Sequence, residues 1–413
     1  MRRAFHSHAE VGFTEFWTAS HVVQALRELG YEVAFGSDVM ERSAMMGVPS
    51  PAELKHASER AIADGADPAI VAAMEGGLTG VVATRRGSRE GPTVAFRFDM
   101  DALPIFEAAS ADHEPLRGGY RSRYDGGMHA CAHDGHTAIG LALAGRLAQT
   151  DLAGTLRLIF QPAEEGGRGA RPMVAGGAVE GVDRLFCMHL GVGVPLGAVA
   201  GGSAGYLATT KMVVRFTGVP AHAGHAPEEG KNALLGAATA LLNIHALPRF
   251  GTGDTRVNVG RLEGGVATNV IAQYARMAVE TRATDEAINA ELERRVRTIV
   301  EHAAGMHGLA HEVEVTGGCT ILRCDEEMVD LVVEEARQVD GVQTAQRWRQ
   351  AGGSEDASLL VKRVQEQGGK ATYMVIGTTL AAPHHNDHFD IDEESLPVGV
   401  ELLERVARRA LEA

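Results

Sequence analysis

The sequence predicts an α/β protein: a main domain built on a largely parallel sheet, interrupted by an inserted ferredoxin-like α+β domain. Three observations predict it. Short β-rich runs recur along the chain with helical patterns between some of them, the signature of βαβ units. The stretch 210–317 departs from this rhythm and reads strand, helix, strand, strand, helix, strand, which is the split-βαβ order. Hydrophobic residues make up 45% of the 413 and charged residues 23%, enough apolar material for packed cores and too much for a disordered chain.

The elements follow in order. A helical pattern runs from Thr14 to Leu29, with Val22, Val23, Leu26 and Leu29 on one apolar side and Gly30 stopping it. Residues 36–77 are polar and partly helical and read as a surface elaboration. Strands are expected at 78–84, 93–98, 155–160, 184–189 and 371–377, and helices at 135–149 and 325–339. Within the insertion, strands are expected at KMVVRFTG, DTRVNVGRL, NVIAQYARMAVETR and HEVEVTG, and helices at 229–247 and 284–307. The main pattern resumes near Cys324 and ends in a helix at 393–412. The domains are therefore 1–209 with 318–413, and 210–317, a piece of about 100 residues that can own a core.

Charge and composition exclude several functions. With 39 basic and 54 acidic residues the net charge is −15 and no long basic run exists, so neither nucleic acid nor an anionic membrane is an expected partner. No stretch approaches the ~20 apolar residues that span a bilayer. The start, MRRAFHSHAEVGF, has charge but no apolar h-region and does not read as a secretory signal. Four cysteines suit a reducing cytosol rather than a disulfide scaffold, so a cytoplasmic location is expected. The chain also holds 50 glycines and 18 histidines, many of the latter in acid-rich or glycine-rich turns.

The strand ends carry the chemistry. TVAFRF leads into Asp99 and Asp101, TLRLIF into Glu164 and Glu165, RLFCM into His189, and ATYMVIG into a loop with His384, His385 and His388. Ligands of open parallel sheets gather beyond the carboxyl ends of the strands, so these groups should converge on one crevice. The densest motif is MHACAHDGHTA. Cys131 and His133 lie two apart, so in an extended segment both side chains point the same way. A thiolate and an imidazole so placed suit a transition metal, with Glu165 and further histidines completing its shell; the bland alternative is a buried cysteine beside helix-capping histidines. Of the adjacent glutamates, one carboxylate can bind a metal while the other takes a proton from water that a divalent ion has acidified. The plain alternative for that pair is a solvated turn.

Taken in order, DMDALP, MHACAHDGHTA, QPAEEGGRGA, CMHLGVGVP, AHAGHAPEEGKNALLGAA, GGVATNVI and HHNDHFDIDEE resemble the motifs of aminoacylase- and carboxypeptidase-type dinuclear metallohydrolases, the family of hippurate and auxin-conjugate hydrolases. The resemblance covers nearly the whole chain. It implies a phosphorylase/hydrolase-like catalytic domain and an inserted dimerisation or lid domain. By similarity the metal ligands are Cys131, His133, Glu165, His189 and His385, holding two divalent ions, and Glu164 is the general base. Asp101 matches the family's active-site acid, His222 a histidine lent across the dimer to the substrate carbonyl, and Asn269 a substrate-contacting asparagine. Arg256 and Arg282 are added as candidates for the substrate carboxylate, because an anion needs local cations. The stretch around GSEDASL, the insertion at 36–77 and the HHN-x-x-FD-x-DE ending point within the family to hydrolysis of p-aminobenzoyl-glutamate or a related aroyl- or acyl-amino acid. They also point to manganese, and to a homodimer or a heterodimer with a homologous subunit. Thiolate and imidazole on softness alone favour zinc or nickel.

One departure stands out: Ala132 occupies the family's glycine position, at a cost of ~1–2 kcal/mol if φ is positive there and almost none if it is negative. The chain also starts at the RRAFH motif without the leader that usually precedes it, so a shortened first helix is expected. His6 and His8 are expected to hydrogen-bond locally, His384 and His388 to make loop contacts, and Cys187 to sit in the core. Cys319 and Cys324 complete no zinc set, and the arginines at 294 and 295 make a solvated helix face. Two other readings compete with the amidohydrolase. One is a non-catalytic binding or regulatory subunit of a heteromeric hydrolase, motivated by Ala132. The other is a thiol hydrolase using Cys131, disfavoured because parallel side chains rarely form a nucleophile–base pair.

Overall fold

The computed structural model describes residues 1–412. Its strands, in chain order, are β1 (Glu32–Phe35), β2 (Val81–Arg86), β3 (Arg89–Asp99), β4 (Ala153–Gln161), β5 (Arg184–Leu190) and β6 (Ala198–Ala204). They continue with β7 (Ala208–Thr217), β8 (Thr255–Gly264), β9 (Tyr274–Ala283), β10 (Ala310–Cys319), β11 (Thr344–Gln350) and β12 (Lys370–Ile376). The chain forms two compact units: Met1–Ala204 with Leu322–Ala351 and Asp356–Ala413, and Gly205–Ile321 with Gly352–Glu355.

The first unit is a mixed α/β unit on an eight-stranded sheet of order β1-β2-β4-β3-β5-β12-β6-β11. The sheet is less parallel than expected. Its centre, β4-β3-β5-β12, is parallel throughout, but β1, β2 and the β12–β6 pair are antiparallel. From Val94 to Asp99 every residue of β3 is buried, and β5 is buried from Leu185 onward. Continuous buried runs of this kind mean both faces of the sheet are covered. Helices His133–Leu147 and Ser395–Glu412 pack on β3 and β4, while Ala357–Glu366 packs on β5 and β12.

The stretch 36–77 is not a mere surface elaboration. Its helix Pro51–Ala63 starts at a reciprocal cap between Ser50 and Glu53, and Asp67 caps the next helix, Pro68–Ala73. Leu54, Ala57, Ala61, Ile70, Val71 and Met74 join the same core as Val22, Val23 and Leu26 of helix Phe16–Glu28.

The second unit is a four-stranded antiparallel sheet of order β10-β7-β9-β8, with helices Ala233–His245 and Glu286–Met306. Asn232 and Asp285 cap those helices by accepting N–H groups of the first turn. Its core is its own, built from residues such as Phe216, Ile244, Met277 and Val296. The strand expected from Asn269 begins only at Tyr274, because Val270 pairs instead with His222 in an isolated bridge. No helix among the described residues is long and apolar enough to cross a membrane.

Candidate metal centre

Strands β4, β3, β5 and β12 are contiguous and parallel, so their carboxyl ends lie along one end of the sheet. Asp99 ends β3, Glu164 and Glu165 follow β4, His189 is in β5, and the loop after β12 holds His384 and His385. The order of strands thus brings the candidate ligands together.

Each side chain is aimed by a specific partner. His133 donates its Nδ1–H to the carbonyl of Asp101 (2.8 Å), which turns Nε2 inward. The Asp101 carboxylate accepts the backbone N–H groups of Glu164 and Glu165 (2.9 and 3.0 Å), fixing the turn that displays both glutamates. Ala163, just before them, donates its N–H to the buried Glu15 carboxylate (2.8 Å). His189 donates Nδ1–H to the carbonyl of Leu190 (2.8 Å) and faces the Cys131 Sγ at 3.6 Å with Nε2. His385 Nε2 lies 3.4 Å from Glu165 Oε1.

The donor atoms of Cys131, His133 and His189 lie within 4.8 Å of one another, as do those of Cys131, Glu165 and His385 and those of His133, Glu164 and Glu165. His133 Nε2 and Glu165 Oε1 are buried with no hydrogen-bond partner. The Glu165 oxygen has only the long contact to His385, and a cation beside His133 Nε2 and Glu165 Oε1 would satisfy both, where a buried polar atom without a hydrogen bond costs ~1–3 kcal/mol. The electrostatics agree. Burial, with Glu165 beside it, pushes the Cys131 thiol up, and Cys131 and Glu165 beside its ring push His385 up to about 10. Burial, with His136 and His384 close by, holds His189 well below its ordinary value, leaving a neutral imidazole. Against burial, Asp99 and Asp101 hold His133 well above its ordinary value, so without an ion only His189 of the three imidazoles is neutral. Thiolate, imidazole and carboxylate are a donor set that divalent transition metals fit, and a bound cation reverses the local preference for protonated ligands.

The Cys131–His133 geometry differs from the extended segment expected. Ala132 is in the left-handed region at φ 69° and begins helix His133–Leu147, so a backbone turn joins the two donors. Ala163 (φ 48°), Val192 (φ 37°) and His385 (φ 67°) are also left-handed without being glycine. Such strain costs ~1–3 kcal/mol per residue and persists where function holds it. Of the five such residues these four adjoin or belong to the cluster, and the fifth, Phe13 (φ 68°), lies outside it.

Other residues shape the cluster without standing out in its motifs. His384 does more than make loop contacts: its Nε2 accepts the N–H of Val192 (3.1 Å), and its Nδ1 faces Cys131 Sγ at 3.5 Å. His136 donates Nδ1–H to Asp99 (2.5 Å) and accepts the N–H of Leu190 at Nε2 (3.0 Å). Asp99 is in turn held by the fully buried Arg97 (2.5 Å), which also pairs with Asp356 (3.2 Å). The spacing of Asp99 from Asp101 and of His136 from His133 is a usable signal for those two. His8 does bond locally, donating Nδ1–H to the carbonyl of Ala4 (2.8 Å) and stacking on Trp17, but His6 does not: it reaches Asp134 and Glu107, residues far away in the sequence.

In the second unit, His222 accepts the N–H groups of Gly224 (3.2 Å) and His225 (3.1 Å) at Nδ1, so Nε2 carries the proton as an exposed donor. The Val270 bridge and the bond from Ala223 N–H to the Asn269 carbonyl (3.0 Å) bring Asn269 beside it. Arg256 and Arg282 face each other across β8 and β9, and Arg282 is paired with Glu280 at 2.6 Å. They lie toward the opposite end of β9 from its start at Tyr274, roughly 25 Å along the strand. The structure does not gather them with Asn269.

Comparison with known proteins places these features in context. The profile described as peptidase family M20/M25/M40 matches residues 95–409. One of the subunits of the p-aminobenzoyl-glutamate hydrolase from Escherichia coli (strain K12) is 47% identical over 409 residues, 98% of this chain and 94% of that protein. The crystal structure of the aminobenzoyl-glutamate utilization protein from Klebsiella pneumoniae superposes with a TM-score of 0.86 at 44% identity, covering 99% of this chain and 94% of that one. A dinuclear metal-binding peptidase of the M20 family from Bacillus subtilis gives a TM-score of 0.66 at 25% identity, covering 100% and 97%.

Proposed function

The chain belongs to peptidase family M20/M25/M40 and is an enzyme acting on amide bonds, and from that premise we propose how it does so and on what. The reading is a metal-dependent amidohydrolase that cleaves aroyl- or acyl-amino acids, with p-aminobenzoyl-glutamate as first candidate on the likeness to its Escherichia coli relative. The observation that carries it is the pair of buried atoms without a hydrogen bond, His133 Nε2 and Glu165 Oε1, inside a cluster of metal-type donors. Cys131, His133, Glu165, His189 and His385 would hold two divalent ions, with manganese favoured by resemblance and zinc or nickel by donor softness. When bound, the ions would polarise the amide carbonyl and make water acidic at neutral pH.

The chain's own groups do the rest. Glu164, displayed by the Asp101 hydrogen bonds, takes the proton of the attacking water and returns it to the departing amine nitrogen. Asp101 is a positioning residue: it sets the glutamate turn with its carboxylate and the tautomer of His133 with its carbonyl. His222, an exposed N–H donor, would be lent by a second copy or a homologous subunit to the developing oxyanion. In this reading the second unit is the dimerisation or lid domain. Asn269 is the favoured contact for the substrate; Arg256 and Arg282, far along β9 from it and with Arg282 paired to Glu280, are not carried forward for the carboxylate.

The test begins with metal analysis of the purified chain, then a panel of aroyl-glutamates and acyl-amino acids. Glu164→Gln should cut kcat by at least about 10³-fold while metal content and substrate binding persist. A metal-loaded chain that hydrolyses none of the panel, alone or with a homologous partner, would return the protein to the binding-subunit reading.

A further inference from the structure

The first helix, Arg2–Ser7, supplies none of the candidate ligands, yet it meets three segments that carry or position them. Arg2 is only 3% exposed. Its Nε lies 2.6 Å from Asp134 Oδ2 and its Nη2 lies 2.5 Å from Asp390 Oδ1. One turn later, His6 faces Asp134 Oδ2 with Nδ1 (2.8 Å) and Glu107 Oε1 with Nε2 (3.0 Å). Asp134 follows His133 directly, Asp390 belongs to the loop of His385, and Glu107 to the loop that leaves Asp101.

None of these carboxylates is free to turn to another partner. Asp134 Oδ1 accepts the N–H of Gly135 (2.9 Å), Asp390 Oδ2 the hydroxyl of Tyr120 (2.8 Å), and Glu107 Oε2 the N–H of Ser122 (2.6 Å). His113 adds a further bond to Glu107 at 2.9 Å. Buried ion pairs of this kind are a weak source of stability but hold their partners in one arrangement. Removing one charge leaves the others buried and unpaired.

We propose that Arg2, with His6 beside it, is a positioning residue of the metal centre. It fastens the start of helix His133–Leu147 to the loop of His385 and to the loop after Asp101, so that the separation of the ligands is set before an ion arrives. Partners behind the ligands of this kind are typically worth about 10–100-fold in metal affinity. The proposal rests on the reading of the cluster as a metal centre.

The test uses the full chain stripped of metal and titrated with Co²⁺, read by calorimetry and by the near-ultraviolet absorption of a cobalt thiolate at Cys131. Arg2→Met should fold, lose about 10–100-fold in Co²⁺ affinity and change the cobalt spectrum. Arg2→Lys, whose single ammonium cannot span two carboxylates, should recover only part of the loss. Arg146→Met, exposed on helix His133–Leu147 and paired with Glu404 (3.1 Å), should match the wild type. If Arg2→Met does not fold, Tyr120→Phe removes only one of the bonds that hold Asp390 and should weaken Co²⁺ in the same direction by less. Wild-type affinity and spectrum in Arg2→Met, or in Tyr120→Phe where it must stand in, overturns the proposal alone. A wild-type chain that takes up no Co²⁺ overturns the metal-centre reading and the proposal with it.

Discussion

At the scale of single residues, the cluster is held by backbone conformations that its side chains oppose. Ala132 is the clearest case, since it is fully buried and left-handed between two donors. Alanine there costs ~1–2 kcal/mol in the backbone, while its buried methyl returns ~0.8 kcal/mol of packing. Ala132→Gly should therefore be more stable by about 0.5 kcal/mol, and Ala132→Val, β-branched at the same φ, less stable by at least about 2 kcal/mol. Urea unfolding of metal-free protein checks both, and the order of the three chains decides it. A glycine variant less stable than alanine would mean that the methyl outweighs the strain. His385 is a related case. At φ 67° the chain presents His385 to Glu165 and turns His384 toward Cys131, and nothing in a His–His pair says which ring goes where.

At the scale of elements, what can be read from the sequence is local. The apolar runs of β3, β4, β5 and β12 announce themselves, and the acids and histidines at their ends announce the crevice. β6 and β11 do not. AVAGGSA and TAQRWRQ lack an apolar run, and they become strands by pairing with each other, with Gly202 leaving no room for a side chain beneath Trp348 and Val329. The stretch 36–77 hides its inward face by spacing Leu54, Ala57 and Ala61 among charged residues. The Arg97–Asp356 pair joins residues 259 apart, a distance no motif spans.

Helix Phe16–Glu28 is another non-local product. It lacks a side-chain cap of its own, and Glu10 supplies one by accepting the N–H groups of Trp17 (2.9 Å) and Thr18 (2.8 Å). Burial pushes this carboxyl up to about 7, those two N–H bonds and Arg60 only partly opposing it, with Tyr124 the other titratable group nearby. The folded chain therefore keeps the Glu10 proton up to about pH 7, while the unfolded chain releases it near 4.5. The stability so gained is full below about pH 4.5 and is lost as the pH rises through 7, about 3 kcal/mol in all. Glu10→Gln loses one of the two cap bonds, ~1 kcal/mol at every pH, and with it the titration. The difference in unfolding free energy between the two chains should fall as pH rises from 4.5 to 7.5, and a difference constant across that range would remove Glu10 as its source.

At the scale of the whole molecule, the two units have separate cores, and Cys131, His133, Glu165, His189 and His385 all belong to the first. A cation that binds the folded cluster therefore stabilises the first unit, by about 2.7 kcal/mol at 100 times its dissociation constant. Both tryptophans, Trp17 and Trp348, lie in that same unit, so their emission reports it alone. Adding Mn²⁺ to chelator-treated protein should raise the midpoint of the emission melt by roughly 5 °C. Far-ultraviolet dichroism sees the helices and strands of both units, and its melt should separate into a component that moves with the metal and one that stays. If the whole dichroism melt moves with the emission, the units unfold together and their cores are coupled. If neither moves with Mn²⁺, Zn²⁺ or Ni²⁺, the cluster around His133 and Glu165 does not hold a metal, and the chemistry built on it falls.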